Sequence, residues 1–213
     1  MKFSKNAQDL VPFLAMEIME RGMALKESGR SIVQLGVGEP NFDPPPQVLE
    51  ATHGALDAHM THYTDSRGLT ELREAIAEDC WQRRGKRVSP NQIIVTSGTS
   101  PALSMVMHLL LEPGDELIIP TPHYACYPNM ARLCGGIPVL VETAPEDGYK
   151  LDVQRVRDAI SPRTRGILLA SPANPTGAVQ PPEVMKALAE LEIPLLSDEI
   201  YDGLVFDGVT TTS

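Results

Sequence analysis

Several features that would identify other classes of protein are scarce or missing in this sequence. Its three cysteines, Cys80, Cys126 and Cys134, form no Cys-x-x-Cys pair and leave one thiol over, which fits a reducing compartment better than a secreted disulfide scaffold. No apolar run approaches membrane-spanning length, and the first ten residues lack the apolar core of a signal peptide. We therefore expect a cytoplasmic protein that does not contact membranes.

Positive charge is scarce as well. The 18 lysines and arginines are outnumbered by 28 acidic residues, giving a formal net charge of -10, whereas a nucleic-acid surface needs a clustered basic stripe. The five histidines show no metal-binding pattern. His59 and His62 could meet on one helical turn, but no third ligand is placed with them. We expect neither nucleic acid nor a metal ion as a ligand.

Helical and strand-like patterns alternate from about Gly68 onward. Short apolar runs, typical of buried strands, are separated by segments of helical periodicity; the runs are residues 93–96, 117–119, 139–141, 166–170 and 195–196. Continuous apolar strands between helices predict an α/β fold with a mostly parallel sheet and helices on both faces. Ligands bind such sheets beyond the carboxyl ends of the strands, so functional residues are expected just after these runs.

The first part of the chain has a different pattern. Three methionines share one face of a helix predicted from about Phe13 to Glu27, and an extended, proline-rich stretch runs from Gly36 to Pro46. We divide the chain into an N-terminal helix and extended arm, residues 1–45, and a larger domain, residues 46–213. The last residues, 207–213, are polar and close no element, so we expect the larger domain to be incomplete at its C-terminal end.

Three local motifs have more than one interpretation. The segment from Ser97 to Pro101 follows a predicted strand and opens a helix, so it is either a phosphate cradle of free amides or a simple N-cap. Gly36-Val37-Gly38 fails as a dinucleotide fingerprint because Pro40 forbids a helix there; its glycines would instead let the backbone approach a ligand. The strand-ending Asp198-Glu199 suggests a P-loop hydrolase, but no GxxxxGK[ST] motif is present.

The order of the motifs resembles one enzyme family. Asn174-Pro175-Thr176-Gly177, followed about two dozen residues later by Asp198-Glu199-Ile200-Tyr201, resembles class I aminotransferases, which are pyridoxal-phosphate (PLP) enzymes of fold type I. The resemblance covers essentially the whole chain. It implies the large domain of that fold with an N-terminal segment of the small domain, transfer of an amino group between an amino acid and a 2-oxo acid, and a homodimer.

The resemblance also implies how the ring of PLP is held. Tyr124 matches the aromatic residue that stacks on the ring, and Asp198 matches the aspartate that faces the pyridine nitrogen. Asn174 and Tyr201 match the two residues that hydrogen-bond the 3-hydroxyl oxygen. These roles suit the chemistry, because the ring accepts electrons only while its nitrogen stays protonated, and a buried carboxylate opposite that nitrogen keeps it so.

Further positions correspond to phosphate and substrate contacts. Gly98, Thr99 and Ser100 match the phosphate-binding turn of the family. Tyr63 matches the tyrosine that reaches the phosphate of the partner subunit's cofactor. Gly38 matches the glycine whose backbone meets the substrate carboxylate. Asn174, at the start of the Asn-Pro-Thr-Gly motif, also matches a residue that binds the substrate.

One catalytic residue of the family has no counterpart. Its Schiff-base lysine lies a few dozen residues beyond the Asp-x-x-Tyr pair, but only a dozen residues follow Tyr201 and none is lysine. We therefore expect a chain truncated before that lysine, which could hold PLP noncovalently and is inactive alone. The alternatives are a non-catalytic PLP-binding or dimer-partner remnant of an aminotransferase and an unrelated α/β phosphate-binding module.

Overall fold

The computed structural model describes residues 2–212, which form helices and a single sheet. The helices are α1 (Lys5–Gln8), α2 (Leu14–Glu27), α3 (Pro46–Asp57), α4 (Thr70–Arg84), α5 (Thr99–Leu110), α6 (Cys126–Leu133), α7 (Val153–Ala159) and α8 (Pro182–Ala189). The strands are β1 (Glu116–Thr121), β2 (Ile137–Glu142), β3 (Thr164–Ala170) and β4 (Leu195–Asp198). Among the helices of residues 2–212, none has both the length and the apolarity needed to cross a membrane.

The chain divides into two compact units. One is Pro12–Val95, and the other comprises the described residues up to Val11 and from Thr96 onward. The second of these contains the whole sheet. The division predicted at residue 45 stays a prediction.

The sheet is parallel throughout, in the order β2-β1-β3-β4. The chain passes from β1 outward to β2, then crosses back over β1 to β3. The connections that leave β1 and β3 therefore run in opposite directions, to β2 and to β4, which makes the carboxyl edge between β1 and β3 a topological switch point. The registers align the strand ends there: Thr121 pairs with Glu142, and Ala170 pairs with Asp198.

Apolar side chains cover both faces of the sheet, as strand alternation requires. On one face, Leu117 and Ile119 of β1 pack with residues of α5 and α6, including Leu103 and Met107. On the other face, Ile118 packs with residues of α7 and α8. The three-layer α/β arrangement predicted from the apolar runs is confirmed.

The unit Pro12–Val95 depends on a buried arginine. Among the residues 12–95, all of them described, only Arg73 is buried, with 3% of its surface exposed. Its guanidinium donates to the carbonyls of Gly68 and Pro90, at 3.1 and 2.9 Å, and to the hydroxyl of Thr70 at 3.2 Å. Arg73 thereby joins the start of α4 to the turn that precedes residues 93–95.

An acidic side chain lies at the opposite edge of the sheet from the switch point. Glu116, at the start of β1, is largely covered and accepts hydrogen bonds from the Ser161 hydroxyl and the Arg163 guanidinium. These bonds, with that from Ser161 the larger cause, lower the pKa of Glu116 below its ordinary value. Glu116 thus fastens the loop before β3 to the start of β1.

Two local predictions are wrong. Residues 93–96 form no strand in the described chain, and Ile94 is exposed; the Val95 amide donates to the Arg67 carbonyl instead of to a neighbouring strand. His59 and His62 do not share a helical turn, because α3 ends at Asp57 and His59 has a φ of 55°. At residues 93–96 the local pattern suited a strand whose hydrogen-bond partners the described chain does not supply.

Candidate functional site

Three loops meet at the carboxyl edge of the sheet. They follow β1, β3 and β4, and each contributes polar side chains beside the switch point between β1 and β3. A cleft opens at this edge, lined by His123 and Tyr127 from the β1 side and by Asn174 and Gln180 from the β3 side. The position agrees with the general rule for ligand sites in open α/β sheets.

Asp198 is the most buried acidic group at this edge. It ends β4, and 8% of its surface is exposed. Its Oδ2 accepts a hydrogen bond of 2.7 Å from the Tyr127 hydroxyl, and its Oδ1 accepts one of 3.1 Å from the Ile200 amide. The Ser171 amide donates to the Asp198 backbone carbonyl at 3.1 Å, tying the loop after β3 to the end of β4. The carboxylate is therefore held in place from both sides.

Two tyrosines lie near this carboxylate, Tyr124 in the loop after β1 and Tyr127 at the start of α6. The rings of Tyr124 and Tyr127 meet edge to face, with centroids 5.4 Å apart and planes at 81°, a favourable aromatic geometry. A hydrogen bond with the Cys126 thiol, together with partial burial, raises the pKa of Tyr124 to about 12. Burial, followed by the hydrogen bond to Asp198, raises the pKa of Tyr127 even further. Both phenols therefore stay neutral at physiological pH.

Asn174 and Tyr201 come together although 27 residues separate them in sequence. The Asn174 side-chain amide donates to the Tyr201 hydroxyl at 3.3 Å. The loop that carries Asn174 is closed by the Gly177 amide, which donates to the Ala173 carbonyl at 2.8 Å, and Gly177 has a φ of 71°. Glycine suits that left-handed position because a Cβ would be strained there. The pair presents an amide and a phenol at one place on the edge.

The start of α5 supplies backbone amides. α5 ends at Leu110, the turn around Pro113 and Gly114 reverses the chain, and β1 begins at Glu116. Because the chain reverses at this turn and α5 packs on the face of β1, the helix runs antiparallel to the strand. The N-terminus of α5 therefore lies toward the carboxyl edge. Gly98 precedes the helix with a φ of 95° and a ψ of 178°, and no side chain caps the first amides. The amides of Thr99 and Ser100 are thus available to an anion.

The two remaining predicted site residues belong to the unit Pro12–Val95. Tyr63 is fully exposed within the structure. Gly38 is exposed too, and a Cβ built there would meet nothing within 4 Å. No neighbouring atom of the described chain therefore requires glycine at residue 38, and the contacts predicted for these two residues stay predictions.

One residue of the site was missed by the sequence reasoning. The sequence pattern predicts a helix only from about Asn129 to Cys134, whereas α6 begins at Cys126, so Tyr127 lay outside the predicted helix and was not singled out. The spacing Tyr-x-x-Tyr was the available signal, since residues three apart lie on the same side of a helical turn. Its bond to Asp198, 71 residues away, was not visible in the sequence.

Comparisons with known proteins point to aminotransferases. A family model described as "Aminotransferase class I and II" matches residues 30–212. The aspartate/prephenate aminotransferase of Thermus thermophilus is 43% identical over 209 residues, which are 96% of this chain and 54% of the relative. An arginine–pyruvate transaminase of Pseudomonas aeruginosa is 40% identical over 198 residues, 91% of this chain and 50% of the relative.

Solved structures give the same result. A structure of the Thermus thermophilus aspartate aminotransferase with maleate has a TM-score of 0.95 and 41% identity, and it covers 100% of this chain and 56% of that one. An alanine aminotransferase from Pyrococcus furiosus has a TM-score of 0.92 and 32% identity. The chain spans about half the length of the relatives it matches. The fold, the ordered site and these matches show that the chain belongs to the class I and II aminotransferase family.

Proposed function

We propose that this chain forms the PLP-binding part of an aminotransferase that moves an amino group between an amino acid and a 2-oxo acid. Members of the family depend on PLP in general. The observation that carries the proposal is the placement of a buried carboxylate, Asp198, beside the Asn174–Tyr201 pair at the carboxyl edge of the sheet. These groups match the polar parts of PLP, whose ring has a basic nitrogen and a phenolic oxygen.

The residues of the edge fit the cofactor in charge and in hydrogen-bonding capacity. Asp198 is an acceptor for a protonated ring nitrogen, and a carboxylate in a largely dry place favours a paired cation. Asn174 and Tyr201 supply hydrogen-bonding groups for the phenolic oxygen. The amides of Thr99 and Ser100 supply donors for the phosphate dianion, assisted by the dipole of α5. Tyr124 offers a neutral ring for stacking.

Each residue then has a definite task in the proposed reaction. When bound, PLP supplies an electron sink for the pair of electrons released at the substrate α-carbon. Asp198 holds a proton on the ring nitrogen, and Asn174 with Tyr201 stabilises negative charge on the phenolic oxygen. The helix start and Tyr124 restrict the position of the ring. None of the six lysines follows Tyr201, so in this proposal the group that moves the proton at the α-carbon is not among residues 202–213.

Binding of PLP by the 213-residue chain is the first test. The chain is titrated with PLP, with equilibrium dialysis and the cofactor's absorbance as readouts. Asp198→Ala should weaken binding by roughly ten- to a hundredfold, because a charge-assisted hydrogen bond contributes about 1.5–3 kcal/mol. Asp152→Ala is the matched control: Asp152 is exposed and caps α7 by accepting from the Gln154 amide. If the chain does not bind PLP, or if both variants bind it equally, the proposal is wrong.

The transfer reaction needs a second experiment. Residues 1–213 are joined to the C-terminal remainder of the Thermus thermophilus relative, and formation of 2-oxo acid is followed with aspartate, arginine and alanine as donors. These three amino acids appear in the names of similar proteins. We expect transfer by the joined protein, its loss in Asp198→Ala, and none by the 213-residue chain. A folded, PLP-loaded joined protein that transfers no amino group would contradict the proposal.

A PLP-binding chain without catalysis is the second candidate. None of the described residues that line the cleft is a lysine, which favours it. It predicts tight PLP binding by the chain in its native cells, with no transfer activity in the purified native protein.

We also propose a homodimer in the cytoplasm. The fully exposed ring of Tyr63 supports the first part, because an aromatic side chain without covering atoms is common at surfaces that a partner buries. All three cysteines are free thiols, which supports a reducing compartment. Sedimentation with and without PLP tests the dimer: a chain that stays monomeric at all concentrations, with PLP bound, would contradict it.

A further inference from the structure

A buried tyrosine holds the acidic group at the centre of the site. The Tyr127 hydroxyl donates to Asp198 Oδ2 at 2.7 Å, and only 2% of the tyrosine is exposed. Tyr127 lies on the first turn of α6, and its ring packs in the cluster that joins α5 to the face of the sheet. The ring is therefore fixed by packing on all sides, and its hydroxyl points at a single acceptor.

The second oxygen of the same carboxylate is held independently. Asp198 Oδ1 accepts from the Ile200 amide at 3.1 Å. A carboxylate has about four lone-pair sites, and these two bonds use one site on each oxygen. Together they fix the plane of the carboxylate, while further sites remain for a ligand. Without the tyrosine bond, the side chain could turn about its terminal torsion, which has only a broad preference.

We propose that Tyr127 is a positioning residue, which acts through Asp198 to keep the carboxylate aligned with the ring nitrogen of bound PLP. The inference rests on the proposed function. It adds a third group to the nitrogen end of the site: the ring, the carboxylate that faces it, and the phenol that holds the carboxylate. Tyr127 itself is not expected to touch the substrate.

The electrostatics of the site suit this task. The groups that face the Tyr127 hydroxyl are Asp198, Tyr124 and Tyr201, and all of them disfavour its ionised form. Burial is the larger cause, and together with these groups it raises the pKa of Tyr127 above its ordinary value. The phenol remains a hydrogen-bond donor throughout the range in which the ring nitrogen exchanges its proton.

The ring of Tyr127 also has a structural role, which is independent of its hydroxyl. A variant that keeps the ring therefore tests the hydroxyl without disturbing the packing. The edge-to-face contact with Tyr124 needs only the ring, so Tyr127→Phe keeps the contact and removes the hydroxyl alone. Tyr149→Phe is the matched control. Tyr149 lines the same cleft and forms hydrogen bonds through its backbone: its carbonyl accepts from the Gln180 side chain and its amide donates to the Ala144 carbonyl, and both bonds survive the substitution.

The experiment measures PLP affinity and the protonation of the bound ring in the 213-residue chain. We expect Tyr127→Phe to bind PLP about tenfold more weakly, as the loss of one hydrogen bond to a charged group implies. The nitrogen of bound ¹⁵N-labelled PLP, followed by NMR, should lose its proton at lower pH than in the parent chain. A purely structural role would not move this titration. In an Asp198→Ala background, Tyr127→Phe should change neither quantity further.

The outcomes distinguish the two proposals. A parent chain that does not bind PLP overturns the proposed function and the role of Tyr127 with it. If the parent binds PLP but Tyr127→Phe matches Tyr149→Phe in affinity and in the nitrogen titration, the inference alone is wrong. Should Tyr127→Phe not fold, 3-fluorotyrosine placed at residue 127 keeps the ring and changes the donor strength of the hydroxyl; the titration of the ring nitrogen should then shift, and an unchanged titration refutes the role.

Discussion

Replacement of Gly98 by alanine tests the phosphate-binding turn, because the added methyl group acts there through the conformation of the backbone. Gly98 has a φ of 95° and a ψ of 178°, a region that is essentially restricted to glycine. A Cβ built there would meet no atom within 4 Å, so steric overlap with neighbouring residues does not add to the loss of stability. The expected cost is therefore the conformational strain, about 1–3 kcal/mol in the free energy of unfolding.

The same substitution should weaken PLP binding. The Gly98 peptide is held by two short bonds: its amide donates to the Thr96 carbonyl at 2.8 Å, and its carbonyl accepts from the Thr96 hydroxyl at 2.7 Å. Relief of the strain requires rotation about Gly98, which redirects the Thr99 amide at the helix start. We expect roughly ten- to a hundredfold weaker binding, the equivalent of one lost charge-assisted hydrogen bond. Urea unfolding and PLP titration of the same samples measure the two effects.

Gly148→Ala separates the loss of stability from the loss of the site. Gly148 has a φ of 61° and also has open space around its Cβ position, so alanine is strained there as well, by roughly 1–2 kcal/mol. It caps the short turn Pro145–Asp147, outside the predicted phosphate turn. We expect reduced stability with unchanged PLP affinity. Equal PLP affinities for the two glycine variants, or unchanged stability in Gly98→Ala, would refute the reasoning.

Two further substitutions test what stabilises each unit. Arg73→Met should lower the stability of the unit Pro12–Val95 by roughly 2–4 kcal/mol, since buried acceptors lose their donor; hydrogen exchange of α4 measures this, and Arg73→Lys should recover part of it. Acid should destabilise the protein through Glu116, whose lowered pKa gives stability that is present above the ordinary glutamate pKa and lost as pH falls through the folded value. Glu116→Gln should therefore flatten the decline in urea midpoint between about pH 5 and pH 3, and an equally steep decline would contradict this.

The predictions from sequence succeeded where the signal was local. An aspartate just before a helical pattern predicts an N-cap, and the Asp152 side chain accepts from the Gln154 amide at the start of α7. A glycine just after a helical pattern predicts the end of the helix, and Gly85 is the left-handed residue after α4. Both depend on backbone groups within a few residues, so their neighbours in sequence contain the cause.

Predictions failed where partners distant in the chain decide the structure. The apolar residues 93–96 have the composition of a strand, but a strand exists only when another strand accepts its hydrogen bonds. The described chain gives Val95 the Arg67 carbonyl instead. The same reasoning explains why Tyr127 was missed, since its acceptor lies 71 residues away.

The sequence by itself determined the parallel α/β fold and the family, and it predicted the residues that we propose to hold PLP, because apolar periodicity and ordered motifs are properties of the chain. Only the tertiary structure decided that Asp198 is buried and held by Tyr127, and that Asn174 meets Tyr201. Strand order places these residues together: β3 lies beside both β1 and β4, so loops far apart in sequence share one edge. The carboxylate expected to face the ring nitrogen thus has its donors in place through the packing of the sheet and α6.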